Sequence, residues 1–276
     1  MTIEPLLLAR RTVRSRNPLV HCITNPISIN DCANAVLAVG AQPIMAEHPQ
    51  EVAAITRSAA ALLVNLGNVT DARLESIMIA GGEAHEAEIP CVIDLVGVGC
   101  SLLRLQFARK FVGNLHPAIV KGNLSELMTF AGTPSQAAGV DAGDRLTPEN
   151  QPRVLDQLSR LARRTGAVIL ATGETDAVTD GTRTILLKNG VPLLSRVTGT
   201  GCVAGALAAV YLSAADPMTA SALAVSVLGI AGELAAEQAR GTGSFRVAMM
   251  DALSTLDEET LAARLRAEPI SENFAF

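Results

Sequence analysis

The sequence predicts a layered α/β protein in which a mostly parallel sheet lies between helices. Of its 276 residues, 49% are hydrophobic and only 18% are charged, so most elements should be covered on more than one face. Short apolar runs alternate with helical stretches, as in consecutive βα units. No low-complexity linker or internal repeat interrupts this pattern, and we expect a single domain over residues 1–276.

Individual elements follow from the apolar runs and the segments between them. The runs predict strands at residues 19–23, 42–45, 62–65, 91–94, 118–121 and 168–171, and helices at 29–39, 49–58, 71–86, 102–112 and 153–164. Beyond residue 171, segments 176–179 and 184–187 predict an antiparallel hairpin, because Asp180-Gly181 accepts the positive φ of a tight turn. Residues 132–152, rich in turn formers, predict a long surface excursion.

Composition and charge argue against several classes of protein. The formal charge is −5 and aromatic residues are 3%, whereas a nucleic-acid binder needs a basic surface and often stacking platforms. Five scattered cysteines without a CxxC pair favour a reducing cytoplasm over a disulfide scaffold or zinc site. The first 16 residues do not match a secretory signal. Apolar stretches 197–215 and 217–232 predict core helices rather than membrane spans.

A glycine-rich turn at residues 197–205, VTGTGCVAG, is the strongest motif. Gly199-Thr200-Gly201 opens an Ala-rich helix whose free backbone N–H groups and dipole favour an anion. Glycines that serve only tight packing are the alternative. The letters also fit a dinucleotide-binding G-x-G-x-x-A pattern, but that pattern usually follows the first strand. Cys202, in the first helical turn, is either a packing residue or a group beside a phosphate.

Polar residues and glycines also follow several predicted strands, where open α/β sheets bind ligands. They are Thr24-Asn25, 65–67, Asp94, 121–123 and Thr172-Gly173. Two carboxylates in such places, Asp94 and Glu126, are suited to hold Mg²⁺. Lys121 is a candidate phosphate partner. A helix-start role for Glu126 and an exposed strand-end position for Lys121 are the alternatives.

In combination and in chain order, these motifs resemble the hydroxyethylthiazole kinase family, thiamine-salvage enzymes of the ribokinase-like superfamily. The matching pieces lie between about residues 6 and 266: PLVHCITN at 18–25, segments within 33–41, PIMA at 43–46, LVNLG at 63–67, Asp94 with VGVG at 96–99, KGN at 121–123 with Ser125-Glu126, ATGE at 171–174 with Asp176, and GTGC at 199–202. The most specific feature is a Cys after Gly-Thr-Gly, where most superfamily members carry Asp.

The resemblance implies a three-layer αβα ribokinase-like fold. It also implies transfer of the ATP γ-phosphate, with Mg²⁺, to the primary hydroxyl of 4-methyl-5-(2-hydroxyethyl)thiazole. The implied residues are Met45, Asn25, Gly67 and Gly199 for the thiazole, Lys121 and Thr172 for ATP, Asp94 and Glu126 for the metal, and the catalytic turn Gly199, Thr200, Gly201 and Cys202. Cys202 acts there as a positioning residue or weak base. The implied assembly is a cytoplasmic homotrimer with sites at subunit interfaces.

The sequence departs from the family pattern at three places. Cys22 stands where Asn is expected, and residues 30–32 lack the usual aromatic. Lys121 stands where Arg is usual, which keeps the charge but loses the bidentate fork. The alternative functions are a hydroxymethylpyrimidine kinase, a nucleotide-dependent NAD(P)H-hydrate dehydratase, and a non-enzymatic thiazole or nucleotide sensor.

Overall fold

The computed structural model describes residues 2–132 and 145–270. Its elements, in chain order, are α1 (Glu4–Arg16), β1 (Leu19–Ile23), α2 (Ile29–Ala38), β2 (Gln42–Ile44), α3 (Val52–Ser58), β3 (Ala61–Asn65), α4 (Asp71–Glu86), β4 (Cys91–Asp94), α5 (Leu102–Leu115), β5 (Ile119–Asn123), α6 (Leu124–Ala131), α7 (Gln151–Thr165), β6 (Val168–Thr172), β7 (Asp176–Thr179), β8 (Thr184–Leu187), a 3₁₀ turn (Pro192–Arg196), α8 (Thr200–Leu212), α9 (Pro217–Gln238), α10 (Thr242–Thr255), α11 (Glu258–Arg264) and β9 (Ala267–Ile270).

The strands form one nine-stranded sheet in the order β2-β1-β3-β4-β5-β6-β7-β8-β9. Strands β1 to β6 pair in parallel, with register partners such as His21 and Leu62. From β6 to β9 the pairing is antiparallel. The predicted hairpin is confirmed as β7 and β8, and Gly181 in its turn has a φ of +89°.

Helices cover both faces of the sheet and divide the core in two. One core lies between the sheet and helices α1, α2, α8, α9 and α10, and the other lies under α3 to α7. Successive strand residues alternate between them: in β3, Leu63 joins the first core while Leu62 and Val64 join the second. The predicted three-layer αβα class, with a mostly parallel sheet and an antiparallel extension, is therefore confirmed.

The two apolar stretches form helices α8 and α9, as predicted. Helix α9 has 22 residues and an apolar window with a mean hydropathy of 1.6, long and apolar enough to cross a membrane, but 89% of that window is buried inside the protein. Every residue of α8 from Cys202 to Leu212 is buried as well. Both helices therefore have the burial of core helices.

The order of the strands sets where a ligand site can form. The chain passes from β1 outward to β2 and then returns across β1 to β3, so the winding direction reverses between β1 and β3. Such a switch point opens a crevice at the carboxyl ends of the strands. The strand-end residues singled out from the sequence all lie at this edge.

Several boundaries differ from the sequence prediction. The helix predicted from residue 49 begins at Val52, after a turn in which the Nδ1 atom of His48 accepts the N–H of Gln50. The helix predicted to end at residue 112 continues to Leu115, where His116 ends it in the left-handed conformation. Helices α1, α10 and α11 and strand β9 were not predicted. Of the predicted excursion at 132–152, residues 133–144 lie outside the described residues.

Candidate active site

Five buried side chains meet at the carboxyl edge of the sheet. They are Asn25 after β1, Asn65 in β3, Asp94 in β4, Lys121 in β5 and Cys202 in α8, called here the polar cluster. A chain of hydrogen bonds joins three of them: Asn25 Nδ2 donates to Asn65 Oδ1 at 3.2 Å, and Asn65 Nδ2 donates to Asp94 Oδ2 at 2.9 Å. Because each lies at the end of a different element, the parallel sheet brings together residues up to 177 positions apart.

A buried ion pair occupies the centre of the polar cluster. The ammonium of Lys121 lies 3.0 and 3.1 Å from the two carboxylate oxygens of Asp94, and both side chains are almost fully buried. Burial lowers the pKa of Lys121, but Asp94, Cys202 and Glu126 outweigh it, so the net shift is upward. Lys121 is therefore a fixed cation inside the site and not the exposed strand-end lysine of the alternative interpretation.

The thiol of Cys202 is held by two amide donors. Its Sγ accepts from Asn25 Nδ2 at 3.1 Å and from Asn65 Nδ2 at 3.4 Å. These bonds tie the first turn of α8 to the ends of β1 and β3. The sulfur therefore accepts two hydrogen bonds at the carboxyl edge of the sheet. Such fixed polar contacts favour a residue that positions a ligand over one that only fills the core.

The glycine turn brings the start of α8 close to the other strands. Gly199 has a φ of +89°, and an added Cβ there would lie 3.0 Å from Cβ of Ser28. The Thr200 hydroxyl donates to the Leu194 carbonyl oxygen at 2.8 Å, away from the helix axis. The first N–H groups of a helix have no intrahelical partner. Those of Thr200, Gly201 and Cys202 are therefore the groups that this turn offers to an anion.

Helix α8 packs closely on the sheet, so its N-terminus lies against the ion pair. A Cβ added to Gly201 would lie 3.4 Å from Lys121 Nζ, and one added to Gly205 would lie 3.2 Å from Asp94 Oδ2. The contact at Gly205 is tighter than a Cβ usually makes, whereas the distance at Gly201 is an ordinary van der Waals contact. The start of α8 therefore lies directly against the ammonium of Lys121 and the carboxylate of Asp94.

Glu126 is fixed by backbone amides at the start of α6. Its two carboxylate oxygens accept the N–H groups of Gly97 and Asn123, each at 2.8 Å, and the Asn123 side chain accepts the N–H of Glu126 in return. This capping box confirms the helix-start role. Burial raises the pKa of Glu126, and Lys121 opposes that shift. Each oxygen keeps a second lone pair for another partner.

Asp94 and Glu126 fit a hard divalent cation such as Mg²⁺. Both offer carboxylate oxygens, and burial raises the pKa of each carboxyl, a cost that a bound cation would offset. Among residues 2–132 and 145–270 there is no ready-made cluster of three or more His, Cys, Asp or Glu ligands. Mg²⁺ is usually held by one or two carboxylates together with water and substrate phosphates.

Thr172 and Asp176 shape the loop at the end of β6. The Thr172 hydroxyl donates to the Gly122 carbonyl oxygen at 3.4 Å, which joins the ends of β5 and β6. The Asp176 carboxylate accepts the N–H of Gly173 at 2.9 Å. Burial raises the pKa of Asp176 to about 7, against the opposing effects of the Gly173 N–H and Lys121.

Replacement of Asp176 by Asn should stabilise the protein at pH 8 and much less near pH 4. Between the ordinary pKa of 3.8 and the folded value of about 7, the unfolded chain ionises while the folded one keeps its proton. The wild type therefore loses stability as the pH rises through this window, by up to about 4 kcal/mol. Urea unfolding at pH 8 and pH 4 measures the difference. If the variant and the wild type differ in unfolding free energy by the same amount at both pH values, Asp176 does not titrate in this range.

The remaining residues singled out from the sequence lie around the polar cluster. Gly67 lies against Asn25, since an added Cβ would be 2.9 Å from Asn25 Nδ2. Met45, Glu126 and Thr172 lie at the ends of neighbouring elements and outside the hydrogen-bonded group. Asn65 was singled out as a strand-end residue but was given no role, and it lies at the centre of the cluster. Its position at the end of a buried strand, two residues before Gly67, was the available signal.

Comparisons with known proteins bear on the family and the fold of the whole chain. A model of the hydroxyethylthiazole kinase family matches residues 11–259. Hydroxyethylthiazole kinase 2 of Clostridium botulinum is 46% identical over 259 residues, covering 93% of this chain and 97% of that protein. The hydroxyethylthiazole kinase structure from Pyrococcus horikoshii superposes with a TM-score of 0.87 at 32% identity, covering 96% and 99% of the two chains.

A more distant structure supports the fold alone. A ribokinase-like superfamily protein of Enterococcus faecalis gives a TM-score of 0.62 at 13% identity, covering 87% of this chain and 88% of that one. The ribokinase-like fold is thus shared well beyond the close relatives. Taken with the family match and the 46% identity, these similarities show that the chain belongs to the hydroxyethylthiazole kinase family.

Proposed function

We propose that the chain transfers the terminal phosphoryl group of ATP to the primary hydroxyl of 4-methyl-5-(2-hydroxyethyl)thiazole, with Mg²⁺, as one kinase domain in thiamine salvage. The observation that carries this proposal is the glycine turn facing a buried ammonium. Lys121 Nζ would be 3.4 Å from a Cβ on Gly201, at the start of α8. Fixed N–H groups beside a fixed cation suit a phosphoryl group in transfer.

The alcohol side of the site lies at the ends of β1, β2 and β3. Asn25, Met45 and Gly67 would line the thiazole, together with the backbone at Gly199. Cys202 would place the hydroxyl, because its sulfur is already held by Asn25 and Asn65. The phosphoryl-transfer transition state is loose, so proton removal comes late and a weak base suffices. Cys202 therefore acts as a positioning residue or a weak base.

The nucleotide side lies at the ends of β5 and β6. Lys121 and Thr172 would contact ATP, and the N–H groups of Thr200, Gly201 and Cys202 would stabilise the charge that develops on the transferred group. Asp94 and Glu126 would hold Mg²⁺, which supplies charge neutralisation on the phosphates when bound.

Replacement of Glu126 by Gln should weaken the use of Mg²⁺-ATP far more than thiazole binding. The amide keeps the size of the side chain but lowers its affinity for a cation, because the charge is lost. We expect the Mg²⁺ concentration for half-maximal rate to rise about tenfold or more, which corresponds to about 1.4 kcal/mol. Calorimetric titration with thiazole alone provides the control. Equal losses of Mg²⁺-ATP and thiazole affinity would contradict the metal role.

A substrate panel tests the function and its alternatives together. The purified protein is incubated with ATP, Mg²⁺ and either hydroxyethylthiazole, hydroxymethylpyrimidine or a hydrated nicotinamide cofactor, and ADP is followed. We expect ADP and a thiazole phosphate with hydroxyethylthiazole. ADP only with the pyrimidine or the hydrated cofactor would favour the other kinase or the dehydratase. A thermal shift without ADP in any arm would favour a sensor.

We further propose that the protein works in the cytoplasm as a homotrimer with sites at subunit interfaces. Three large apolar side chains are exposed near α2 and α10, which pack together: Ile27 at 61%, Leu37 at 55% and Val247 at 62%. Ile27 lies two residues from Asn25, so a subunit covering this surface would border the thiazole side. Light scattering should give three times the 28.7 kDa chain mass; a monomeric mass would reject the trimer.

A further inference from the structure

A buried arginine in the first turn of α4 ties together three loops of the candidate site. Arg73 is 5% exposed, although arginine is among the residues least often buried. Its Nη1 donates to the carbonyl oxygens of Gly67 at 3.0 Å and Asn68 at 2.9 Å, and its Nη2 donates to the carbonyl oxygen of Thr24. Its Nε lies 3.2 Å from a carboxylate oxygen of Glu47.

Three of these contacts are to backbone carbonyl oxygens and one is to the Glu47 carboxylate, and all lie within two residues of the proposed thiazole-side residues. Thr24 precedes Asn25, Gly67 is itself one of them, and Glu47 follows Met45 by two positions. Ser76, also on α4, adds a hydrogen bond from its hydroxyl to the Glu47 carbonyl oxygen at 2.8 Å. Helix α4 thus holds the ends of β1, β2 and β3 from one side of the site.

The backbone carbonyl oxygens just past strands β1 and β3 need a hydrogen-bond donor from outside the sheet. Thr24 and Gly67 are buried and lie just past β1 and β3, where no neighbouring strand continues the ladder. Their carbonyl oxygens accept from Arg73, and a buried carbonyl oxygen left without a donor would destabilise the fold. Only a guanidinium presents several N–H groups in a fixed plane that reaches both loops at once. A lysine carries its donors on a single atom.

The same bonds fix the spacing between the two loops. Gly67 and Asn25 are in close contact, since an added Cβ on Gly67 would lie 2.9 Å from Asn25 Nδ2. The nucleotide side is further away. Strand β6 is three places from β3 in the sheet, which at the usual strand spacing is about 14 Å.

We infer that Arg73 is the positioning residue that sets the shape of the thiazole side of the site, and that it does so without touching substrate. This inference rests on the proposed function. It predicts a selective effect: loss of Arg73 loosens the loops at residues 24–25 and 67–68 and weakens alcohol binding. The nucleotide side, held by β5, β6 and α8, keeps its affinity.

The test compares Arg73→Met and Arg73→Lys with Arg57→Met. Arg57 lies on α3, is exposed, and pairs with Glu83 of α4 at 2.6 and 2.7 Å, so its loss removes an arginine contact to the same helix without touching the loops. Calorimetry gives the dissociation constants for hydroxyethylthiazole and for a non-hydrolysable Mg²⁺-ATP analogue separately. Hydrogen exchange reports on residues 24–28 and 66–69 without any substrate.

We expect Arg73→Met to weaken thiazole binding about tenfold or more, with nucleotide binding changed less than about threefold, and to speed exchange in both loops about tenfold. For Arg73→Lys, the thiazole affinity and the loop exchange rates should lie between those of Arg73→Met and the wild type. If Arg73→Met does not fold, Arg73→Lys alone provides the test. Arg57→Met should have the wild-type affinities for thiazole and nucleotide and the wild-type exchange rates in both loops. Unchanged loop exchange, or equal loss of both affinities, overturns the inference. A wild type that binds nucleotide but no thiazole overturns the proposed function and the inference with it.

Discussion

Replacement of Gly199 by Ala should lower kcat about 100- to 1000-fold while leaving the protein folded. The added Cβ would lie 3.0 Å from Cβ of Ser28, so the turn must move by a few tenths of an ångström. That movement misdirects the N–H groups of Thr200, Gly201 and Cys202, and loss of one such donor costs about 10²–10³ in kcat. Steady-state kinetics with saturating ATP and thiazole measure the loss.

A second glycine separates the steric effect from the cost of the backbone conformation. Gly166 ends α7 with a φ of +70°, and an added Cβ there meets nothing within 4 Å. Both Gly199→Ala and Gly166→Ala should lose about 1–2 kcal/mol of unfolding free energy, because an L-residue is placed at positive φ. Only Gly199→Ala should lose activity. Near-normal kcat in Gly199→Ala would remove the glycine turn from the proposed mechanism.

Replacement of Lys121 by Met should destabilise the protein by about 3–5 kcal/mol and abolish most activity. The substitution leaves the fully buried Asp94 carboxylate with Asn65 Nδ2 at 2.9 Å but without its ammonium partner. Urea unfolding of the two proteins measures the difference in free energy. Lost phosphate contacts should lower kcat and ATP affinity together.

The double variant Lys121→Met/Asp94→Asn is the matched control. It removes both charges of the buried pair, so most of the lost stability should return while activity stays low. This outcome would separate the structural cost of an unpaired charge from the catalytic role. A Lys121→Met variant as stable as the wild type would mean that the ion pair contributes little to the fold.

The sequence predicts the sheet well because its strands are buried on both faces. Such strands read as continuous apolar runs, for example Ala61–Asn65 between two cores. The hairpin was equally clear, because Asp180-Gly181 suits a tight turn. Strand β9 gave no such signal: Ala267–Ile270 carries an exposed Glu and an exposed Pro, so its place is set by backbone pairing to β8 and not by apolar periodicity.

The candidate site was predictable where strand ends carry polar residues and was missed where side chains act through backbone. Asp94, Lys121 and Cys202 stand out by type and position, and they lie together. Arg73 does not stand out, because an arginine in the first turn of a predicted helix reads as a solvated surface residue. Only its burial against the carbonyl oxygens of Thr24 and Gly67 reveals it, and that depends on the tertiary fold.

Strand β9 also has a consequence for how the chain folds during synthesis. It covers the edge of β8, whose sequence Thr-Ile-Leu-Leu is buried, and an open edge of that composition pairs readily with other chains. The covering strand leaves the ribosome about 80 residues after β8, since Lys188 pairs with Glu268. Until then the edge of β8 is open to other nascent chains. Pro269 then gives the completed sheet an outer strand with one fewer N–H for any further partner.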